Sequence, residues 1–486
     1  GNKTLSVTLN DSASQLATPA VGTIPLTTVD ASGFTGDSLT ITAVEADSGV
    51  TVTTGSEALS VTVGDGVNNI TGTAGDDEIT TGEGADTIVA FAGDDEIVAG
   101  DGANTITVTD GENDIDGGEA VDTITAGNGN NTIDGGDGAD VIVAGSGANT
   151  ITNTAGNATI TAGTGNNIVT NTAGNSTITL GNGTNTVNLT AGNSTVITGS
   201  GADDINITAG NNDITAGAGN DTISLGSGND TVDAGTGTDK VDFSVARGTW
   251  TGAISGAETV TATYTGSATI DATGIAGYTT LNVTANDSTA TTSLKNIGDA
   301  TVNLSDDSVE GGGDGDIEAM TIDTTDDATL TVDLGANQEA AIATAADLAS
   351  LTITDAATVT LKASGGSFGN LLASDMETVT LDDEETTALT IESSDYTSIE
   401  ATIAGSESLA SLAIDASGIE ADMVIDSLAD AVALTSLTAT ASGLNSSISL
   451  VGLVGDSGDE SGTANLAILD TITVTASNGA TIDMNH

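Results

Sequence analysis

Residues 135–142 read Gly135-Gly136-Asp137-Gly138-Ala139-Asp140-Val141-Ile142, a nearly ideal copy of a nine-residue unit that recurs without a slip from Gly64 to Val241. Glycine stands four residues before each aliphatic anchor except at Ala120, and Asp or Asn stands two residues before it in seventeen of twenty units. The anchors are Ile70, Ile79, Ile88, Ile97, Ile106, Ile115, Ile124, Ile133, Ile142, Ile151, Ile160, Val169, Ile178, Val187, Val196, Ile205, Ile214, Ile223, Val232 and Val241. A fixed period of this kind indicates a solenoid of stacked units.

Each unit combines a glycine-rich turn with a short strand whose single anchor points inward. Glycine admits the left-handed backbone of a tight turn, and alternate residues of a strand face opposite sides. Two units form one coil of 18 residues, and successive coils should stack as parallel strands about 4.8 Å apart. The sequence therefore predicts an all-β fold with a parallel β-roll over residues 63–242.

The unit follows the pattern G-G-x-G-x-D-x-U-x, where U is aliphatic, at residues 135–142, and again at residues 216–223 with Ala216 in place of the first glycine. In this it resembles the calcium-binding nonapeptide of the RTX family of secreted bacterial proteins. The resemblance implies calcium ions between turns on one edge, one coil apart, held by turn carbonyl oxygens and by the Asp two places before each anchor. It also implies type I secretion of an unfolded chain that folds in extracellular calcium.

The residue two places before each anchor, here called the inner position, falls alternately on two edges of the roll. On the first edge the inner residues are Asp77, Asp95, Asn113, Asn131, Asn149, Asn167, Asn185, Asp203, Asp221 and Asp239. On the second edge they are Asn68, Asp86, Asn104, Asp122, Asp140, Ala158, Ser176, Ser194, Asn212 and Asp230. The nine aspartates are the candidate calcium ligands.

Aspartate occupies the inner position on two adjacent coils in four places: Asp77 with Asp95, Asp122 with Asp140, Asp203 with Asp221, and Asp221 with Asp239. These pairs should hold calcium most tightly, because two carboxylates share one ion. The middle of the roll, from 149 to 197, should be poor in calcium and held by Asn and Thr ladders.

Charge is the second strong signal, since 70 acidic residues face five basic ones and the formal net charge is -65. Such a chain is a poor partner for nucleic acid and is repelled by anionic membranes. Self-repulsion also opposes compact folding, so a cation should neutralise the chain, and calcium fits that role. The sequence contains no cysteine and no run of 18 apolar residues, so neither disulfides nor membrane insertion is expected.

The flanking regions have no such period. Residues 1–62 are expected to form an N-terminal β segment, and residues 243–486 a β-rich assembly region built as a β-solenoid or a β-sandwich, with a further division near 310–345 left open. The motif Ile270-Asp271-Ala272-Thr273-Gly274-Ile275 has relatives at 29–34 and 414–419. A turn in which the Asp caps its own backbone is favoured there over a ligand role.

An enzyme is not expected, because the chain has one histidine, His486, and no cysteine nucleophile. The Thr- and Ala-rich flanks are similar to the lattice-forming parts of RTX-type surface-layer (S-layer) proteins. This implies a self-assembling structural protein at the cell surface, with calcium, further copies of itself and cell-surface polysaccharide or lipopolysaccharide as partners. The alternatives are an adhesin or matrix filament subunit and, less favoured, an ice-binding module using threonines such as Thr161, Thr170 and Thr179.

Overall fold

The structure is a computed structural model, and it describes residues 4–8, 28–31, 38–43, 51–54, 58–245, 248–264, 266–285, 291–306, 319–333, 348–363, 372–381, 388–393, 397–404, 409–416, 421–428, 434–451 and 471–485. The chain divides into two compact units, residues 1–239 and residues 240–486. The elements in the described ranges are β-strands, apart from one short 3-10 helix, Ala272–Gly274. Within these ranges no helix is long and apolar enough to cross a membrane.

The described strands of the first unit are unevenly spaced up to β5 and then recur about every nine residues. In chain order they are β1 (Thr4–Thr8), β2 (Thr28–Ala31), β3 (Ser38–Ala43), β4 (Thr51–Thr54), β5 (Leu59–Val63), β6 (Asn69–Thr71), β7 (Glu78–Thr80), β8 (Thr87–Ala92), β9 (Glu96–Val98), β10 (Thr105–Asp110), β11 (Asp114–Asp116), β12 (Thr123–Ala126), β13 (Thr132–Asp134), β14 (Val141–Ala144), β15 (Thr150–Asn153), β16 (Thr159–Ala162), β17 (Ile168–Asn171), β18 (Thr177–Leu180), β19 (Thr186–Leu189), β20 (Thr195–Ile197), β21 (Asp204–Ala209), β22 (Asp213–Thr215), β23 (Thr222–Ser227) and β24 (Thr231–Asp233).

Odd-numbered strands of this unit form the first sheet and even-numbered strands form the second, and all neighbours run parallel. Over the repeats the register is one coil of 18 residues: Ile70 pairs with Ile88, and Ile88 with Ile106. The predicted parallel β-roll is therefore confirmed. The strands before residue 63 continue the ladders, since Val61 pairs with Ile79. The domain boundaries at 62 and 242 stay predictions.

The 18-residue register divides the threonines considered for ice binding between the two sheets. Thr161 and Thr179 pair directly on the second sheet, but Thr170 pairs with Thr152 on the first. Residues nine apart therefore lie on opposite sheets. Any ice-binding surface would therefore use Thr161 and Thr179 from one sheet, or Thr170 from the other.

The core of the roll is a narrow seam of inward-facing side chains. Each anchor is at most 2 % exposed, and the residue two places after it is often a second buried aliphatic, as at Val108 and Leu189. In the middle of the first sheet this second place holds Asn153 and Asn171, and the Nδ2 of Asn153 donates to the Oδ1 of Asn171 at 3.0 Å. Burying one Ile side chain stabilises the fold by about 1.5–3 kcal/mol. The roll thus depends on a ladder of single anchors rather than on a thick core.

Stacking of the turns explains why glycine stands four residues before the anchor. At Gly174, where φ is +107°, a Cβ atom would lie 1.8 Å from the carbonyl oxygen of Gly156, one coil earlier. Ala120 is the exception in the sequence, and its φ is nevertheless +89°. The turn geometry is therefore imposed by the stack, and Ala120 adopts it under strain.

In the second unit the described strands are longer and less evenly spaced. They are β25 (Lys240–Val245), β26 (Gly248–Trp250), β27 (Ala253–Ser255), β28 (Thr259–Tyr264), β29 (Ala268–Asp271), β30 (Ile275–Ala276), β31 (Thr280–Ala285), β32 (Thr291–Ile297), β33 (Ala300–Asp306), β34 (Ala319–Asp333), β35 (Leu348–Ala363), β36 (Leu372–Leu381), β37 (Ala388–Ser393), β38 (Thr397–Ala404), β39 (Ser411–Ala416), β40 (Asp422–Leu428), β41 (Ser436–Ala441), β42 (Ser447–Val451), β43 (Thr471–Ala476) and β44 (Thr481–Asn485).

These strands also pair in parallel, in two main ladders that both pass through the long strands β34 and β35. The coil length varies, from 19 residues between Val241 and Val260 to 35 residues between Ala439 and Val474. Parallel pairing of successive coils makes the unit a β-solenoid. The sandwich alternative, which needs antiparallel sheets, is wrong for the described strands.

Two local features of the second unit bear on the sequence predictions. Oδ1 of Asp271 accepts hydrogen bonds from the backbone N–H of Thr273 at 3.0 Å and from its hydroxyl at 2.6 Å. The capping role favoured for this motif is therefore confirmed at Asp271. Phe243 and Trp250 stack with their ring centroids 4.4 Å apart.

Candidate metal centres

The inner position of the roll forms a continuous side-chain ladder along each edge. On the second edge, Oδ1 of Asp122 accepts the backbone N–H of Asn104 at 2.7 Å, and Oδ1 of Asp140 accepts that of Asp122 at 2.8 Å. On the first edge, Oδ1 of Asp221 accepts the N–H of Asp203 at 2.8 Å. Each inner carboxylate is thus fixed against the coil before it.

All nine candidate aspartates are buried in this way, none of them more than 2 % exposed. In addition to the three contacts above, the described N–H donors to an inner Oδ1 are Leu59 to Asp77, Asn68 to Asp86, Asp77 to Asp95, Asn185 to Asp203, Asn212 to Asp230 and Asp221 to Asp239. The four predicted aspartate pairs therefore lie on adjacent turns of one edge.

The second carboxylate oxygen, Oδ2, differs from Oδ1 in its hydrogen bonding. Within the described part of the chain, Oδ2 is buried and accepts no hydrogen bond in Asp86, Asp95, Asp122, Asp140, Asp203 and Asp221. Leaving a buried charged oxygen without a partner costs several kcal/mol, so such groups are normally paired or bound to metal. Six such oxygens at equivalent sites fit a cationic ligand.

Asparagine at the same position shows what surrounds that second atom. The Nδ2 of Asn149 donates to the carbonyl oxygens of Gly145 at 3.1 Å and Gly147 at 3.2 Å. Asn131, Asn167 and Asn185 repeat this pair of contacts with their own turn glycines. Asp and Asn share the Oδ1 contact, so the Oδ2 of an aspartate takes the place of Nδ2 and faces carbonyl oxygens instead of donating to them.

Such a site suits calcium. Carboxylate and carbonyl oxygens are the hard ligands that Ca²⁺ takes, six to eight at a time, in a flexible shell. Between Asp122 and Asp140, or between Asp203 and Asp221, two carboxylates and the turn carbonyls supply oxygens of both kinds. Among the described residues no group of three or more His, Cys, Asp or Glu side chains could hold a metal, as expected when main-chain oxygens complete the shell.

Burial makes these carboxylates reluctant to ionise without a cation. It raises the pKa of Asp95 to about 6, of Asp122 to about 7 and of Asp221 to about 6, and a neighbouring inner Asp adds to each effect. Burial also raises the pKa of Asp77, Asp86, Asp140 and Asp230. A bound divalent ion would reverse this, because it favours the charged form.

Asp77 differs from the other inner aspartates. Its Oδ2 accepts the backbone N–H of Thr73 at 2.7 Å, and its Oδ1 accepts the Thr73 hydroxyl at 2.7 Å and the N–H of Leu59 at 2.8 Å. Protein donors therefore already satisfy both oxygens. Asp77 is therefore the least suited of the nine aspartates to bind calcium.

In the middle of the second edge the ladder continues without carboxylates. The Oγ of Ser176 accepts the N–H of Ala158 at 3.0 Å, and the Oγ of Ser194 accepts that of Ser176 at 3.1 Å. The Nδ2 of Asn149 likewise reaches Oδ1 of Asn167 at 2.9 Å on the first edge. Neutral hydrogen bonds thus hold both edges between 149 and 197.

A second ladder, on the outside of the turns, was not foreseen from the sequence. Asn157, Asn175, Asn193 and Asn211 each accept, through Oδ1, the backbone N–H of the residue 18 later, at 2.7 to 2.8 Å. The signal was available in the sequence, since Asn recurs every 18 residues three places before the anchor on this edge. This outer ladder bonds toward the following coil, whereas the inner ladder bonds toward the preceding one.

Comparison with known proteins agrees with this geometry. The family model of the RTX calcium-binding nonapeptide repeat (4 copies) matches residues 62–95, 89–124, 116–151, 154–178, 179–206 and 207–241. No curated protein and no solved structure matches the chain. RTX repeats bind several calcium ions and are typical of proteins secreted by the type I route. Residues 62–241 are therefore RTX-type calcium-binding nonapeptide repeats.

Proposed function

We propose that calcium binds where aspartates occupy the inner position on adjacent coils, with Asp122 and Asp140, Asp203 and Asp221, and Asp221 and Asp239 as the principal ligands. The Oδ2 atoms of Asp122, Asp140, Asp203 and Asp221, which are buried and accept no hydrogen bond, support the assignment. Asp86 and Asp230 would share ions with an Asn on the neighbouring coil. The pair Asp77 and Asp95 binds more weakly, because Thr73 already satisfies the first of them.

The middle of the roll binds no calcium in this proposal. The carbonyl oxygens of Gly145 and Gly147, which would otherwise face an ion, already accept the Nδ2 of Asn149. An amide donor satisfies these oxygens without adding charge. Calcium therefore acts toward the two ends of the roll, and hydrogen bonds act between them.

Calcium then decides whether the roll folds. With Kd near 0.1 mM and about 10 mM free calcium, one site stabilises the folded state by about 2.7 kcal/mol. The three principal sites together contribute about 8 kcal/mol, which is comparable with the whole stability of a domain at about 5–15 kcal/mol. Without calcium the net charge of -65 opposes the compact state.

The whole chain, in our proposal, is a structural protein that assembles on the bacterial surface as a calcium-dependent S-layer lattice. The observation that carries this is that each unit is a stack of parallel coils, so that it presents the long, regular faces suited to repeated contacts. Copies this acidic repel one another, so calcium would also act between them. Secretion by the type I route would deliver the unfolded chain to extracellular calcium, and surface polysaccharide or lipopolysaccharide would anchor the lattice.

The test is negative-stain imaging of the purified full-length chain, titrated from EGTA into millimolar calcium, with circular dichroism on the same samples. We expect β-signal and ordered sheets to appear with calcium. Threads in place of sheets would move the assignment to an adhesin or filament subunit. Folded particles that stay single at every concentration would contradict the lattice.

A further inference from the structure

The outer face of the second sheet carries two rows of side chains that stay in register over nine strands, from β4 to β20. The first row is Thr51, Asn69, Thr87, Thr105, Thr123, Val141, Thr159, Thr177 and Thr195. The second row is Thr53, Thr71, Val89, Thr107, Thr125, Val143, Thr161, Thr179 and Ile197. We call these eighteen residues the threonine face. All of them are exposed or half-buried, and none is charged.

The same strand positions on the first sheet carry acidic residues on β7, β9, β11, β13 and β21, and uncharged residues on β15, β17 and β19. Glu78 pairs with Glu96, and Glu96 with Asp114, while Asp116 pairs with Asp134 in the next row. Like charges directly opposite one another destabilise a sheet and repel any approaching acidic surface. The outer face of the first sheet is therefore interrupted by charge on β7 to β13 and again on β21, whereas the threonine face is uncharged over nine consecutive strands.

Around part of the threonine face the turns are uncharged as well. The sequence from Val141 to Ala202 contains no Asp, Glu, Lys, Arg or His, although 70 acidic residues are spread over the rest of the chain. Within this belt the turn tips carry Ala and Asn, such as Ala155 and Asn157, where the earlier turns of the same edge carry Glu119 and Asp137. An acidic partner can approach here without passing a rim of like charge.

We propose that the threonine face is the contact surface for a second copy of this chain, and this rests on the lattice function proposed above. Charge selects the occupant, because a face without charge is where two chains of net charge -65 can meet. Threonine methyl groups and the valines would interdigitate between two flat sheets about 10 Å apart.

The size of the face fits a repeated, weak contact. Nine strands at about 4.8 Å and three residues per strand give a face of about 40 by 10 Å. Two copies would bury about 800 Å², below the 1,200–2,000 Å² of stable pairs. A single contact is therefore transient, and a lattice strengthens it by repetition.

The experiment introduces charge on the face and at a matched place elsewhere. Thr159→Glu with Thr177→Glu changes two exposed neighbours on the threonine face. Thr132→Glu with Thr150→Glu changes two exposed, directly paired neighbours on the first sheet. Neither pair is at an inner position, so the number of bound calcium ions, measured by equilibrium dialysis, should stay the same in both variants.

We expect the face variant to fold with calcium yet to need about tenfold more calcium for half-maximal assembly, or to form no sheets, while the control assembles like the wild type. Equal assembly by both variants would overturn the threonine face and leave the lattice standing. A wild type that never assembles would overturn both proposals. Thermal hysteresis in ice that only the face variant loses would assign the face to ice instead of a second copy.

Discussion

Replacing Asp122 and Asp140 together by asparagine should turn the calcium site between these two adjacent turns into a pair of neutral, hydrogen-bonded turns. Oδ1 of each new side chain can keep its N–H partner on the preceding coil, and the new amide can donate to the turn carbonyls, as Asn149 does. The double variant should therefore fold with less calcium and bind fewer ions. The change removes two charges from a region where the fold carries no compensating base.

The magnitude follows from burial. A rise in the pKa of Asp122 from 3.8 to about 7 corresponds to at most about 4 kcal/mol of destabilisation at pH 7.5 without metal, and solvent screening at the turn reduces this to about 2 kcal/mol. Removing that penalty should raise the melting temperature of the metal-free roll by about 4–8 °C. In about 10 mM calcium the variant instead loses about 2.7 kcal/mol for the lost site.

The assay is calcium-dependent folding followed by circular dichroism, with bound ions counted by equilibrium dialysis. Asp114→Asn with Asp204→Asn is the control, because it removes the same charge from exposed strand positions. The reverse change, Asn149→Asp with Asn167→Asp, should raise the calcium requirement of the middle of the roll. If the Asp122 and Asp140 variant keeps the wild-type ion count and folding midpoint, the assignment of ions to paired inner aspartates is wrong.

Three further predictions concern the stability of the roll. Ala120→Gly should stabilise it by about 1–2 kcal/mol in thermal unfolding, because φ is +89° there, whereas the neighbouring-coil control Ala139→Gly should not. Gly174→Ala should lower the free energy of unfolding by more than about 3 kcal/mol, because its Cβ atom would lie 1.8 Å from the carbonyl oxygen of Gly156. The control Gly298→Ala, which has open space around it, should leave the free energy of unfolding nearly unchanged. Without calcium the roll should gain β-signal in circular dichroism as the pH falls from 7.5 to 5. The pKa of Asp122 is raised to about 7 in the folded state, so its contribution to stability is complete below pH 3.8 and is lost as the pH rises through 7. A β-signal that does not change with pH in EGTA would contradict this.

The regular part of the fold could be predicted from the sequence because one rule is repeated. Twenty anchors in one register specify both the strand and its partner, so the pairing of Ile70 with Ile88 needed only the assumption of two units per coil. The same arithmetic sorted the inner aspartates by edge. It also shows why Thr170 cannot share a row with Thr161.

Other features depend on atoms that the sequence does not place. Asp and Asn have the same shape, and only stacked turns reveal that Nδ2 of Asn149 meets the carbonyl oxygens of Gly145 and Gly147. The protection of Asp77 by Thr73 is equally local. In the second unit Ala439 pairs with Val474, which is 35 residues away. The sequence there has no fixed period from which this pairing could be predicted. Coils of unequal length leave pairing to tertiary contacts alone.

The closure of one coil by two repeats also governs how such a chain can change in length. An inserted nonapeptide would satisfy the glycine and anchor rules, and the aspartates beyond it would keep their neighbours on a common edge. It would nevertheless exchange the two outer surfaces from that point onward, breaking the aligned rows and, on the acidic coils, placing Glu or Asp where threonine stood. Duplications of 18 residues keep both surfaces continuous and lengthen the stack by about 4.8 Å each. Descendants of this gene should therefore differ in length by whole coils of 18 residues. The continuity of the outer surface, and not the position of the metal ligands, requires this.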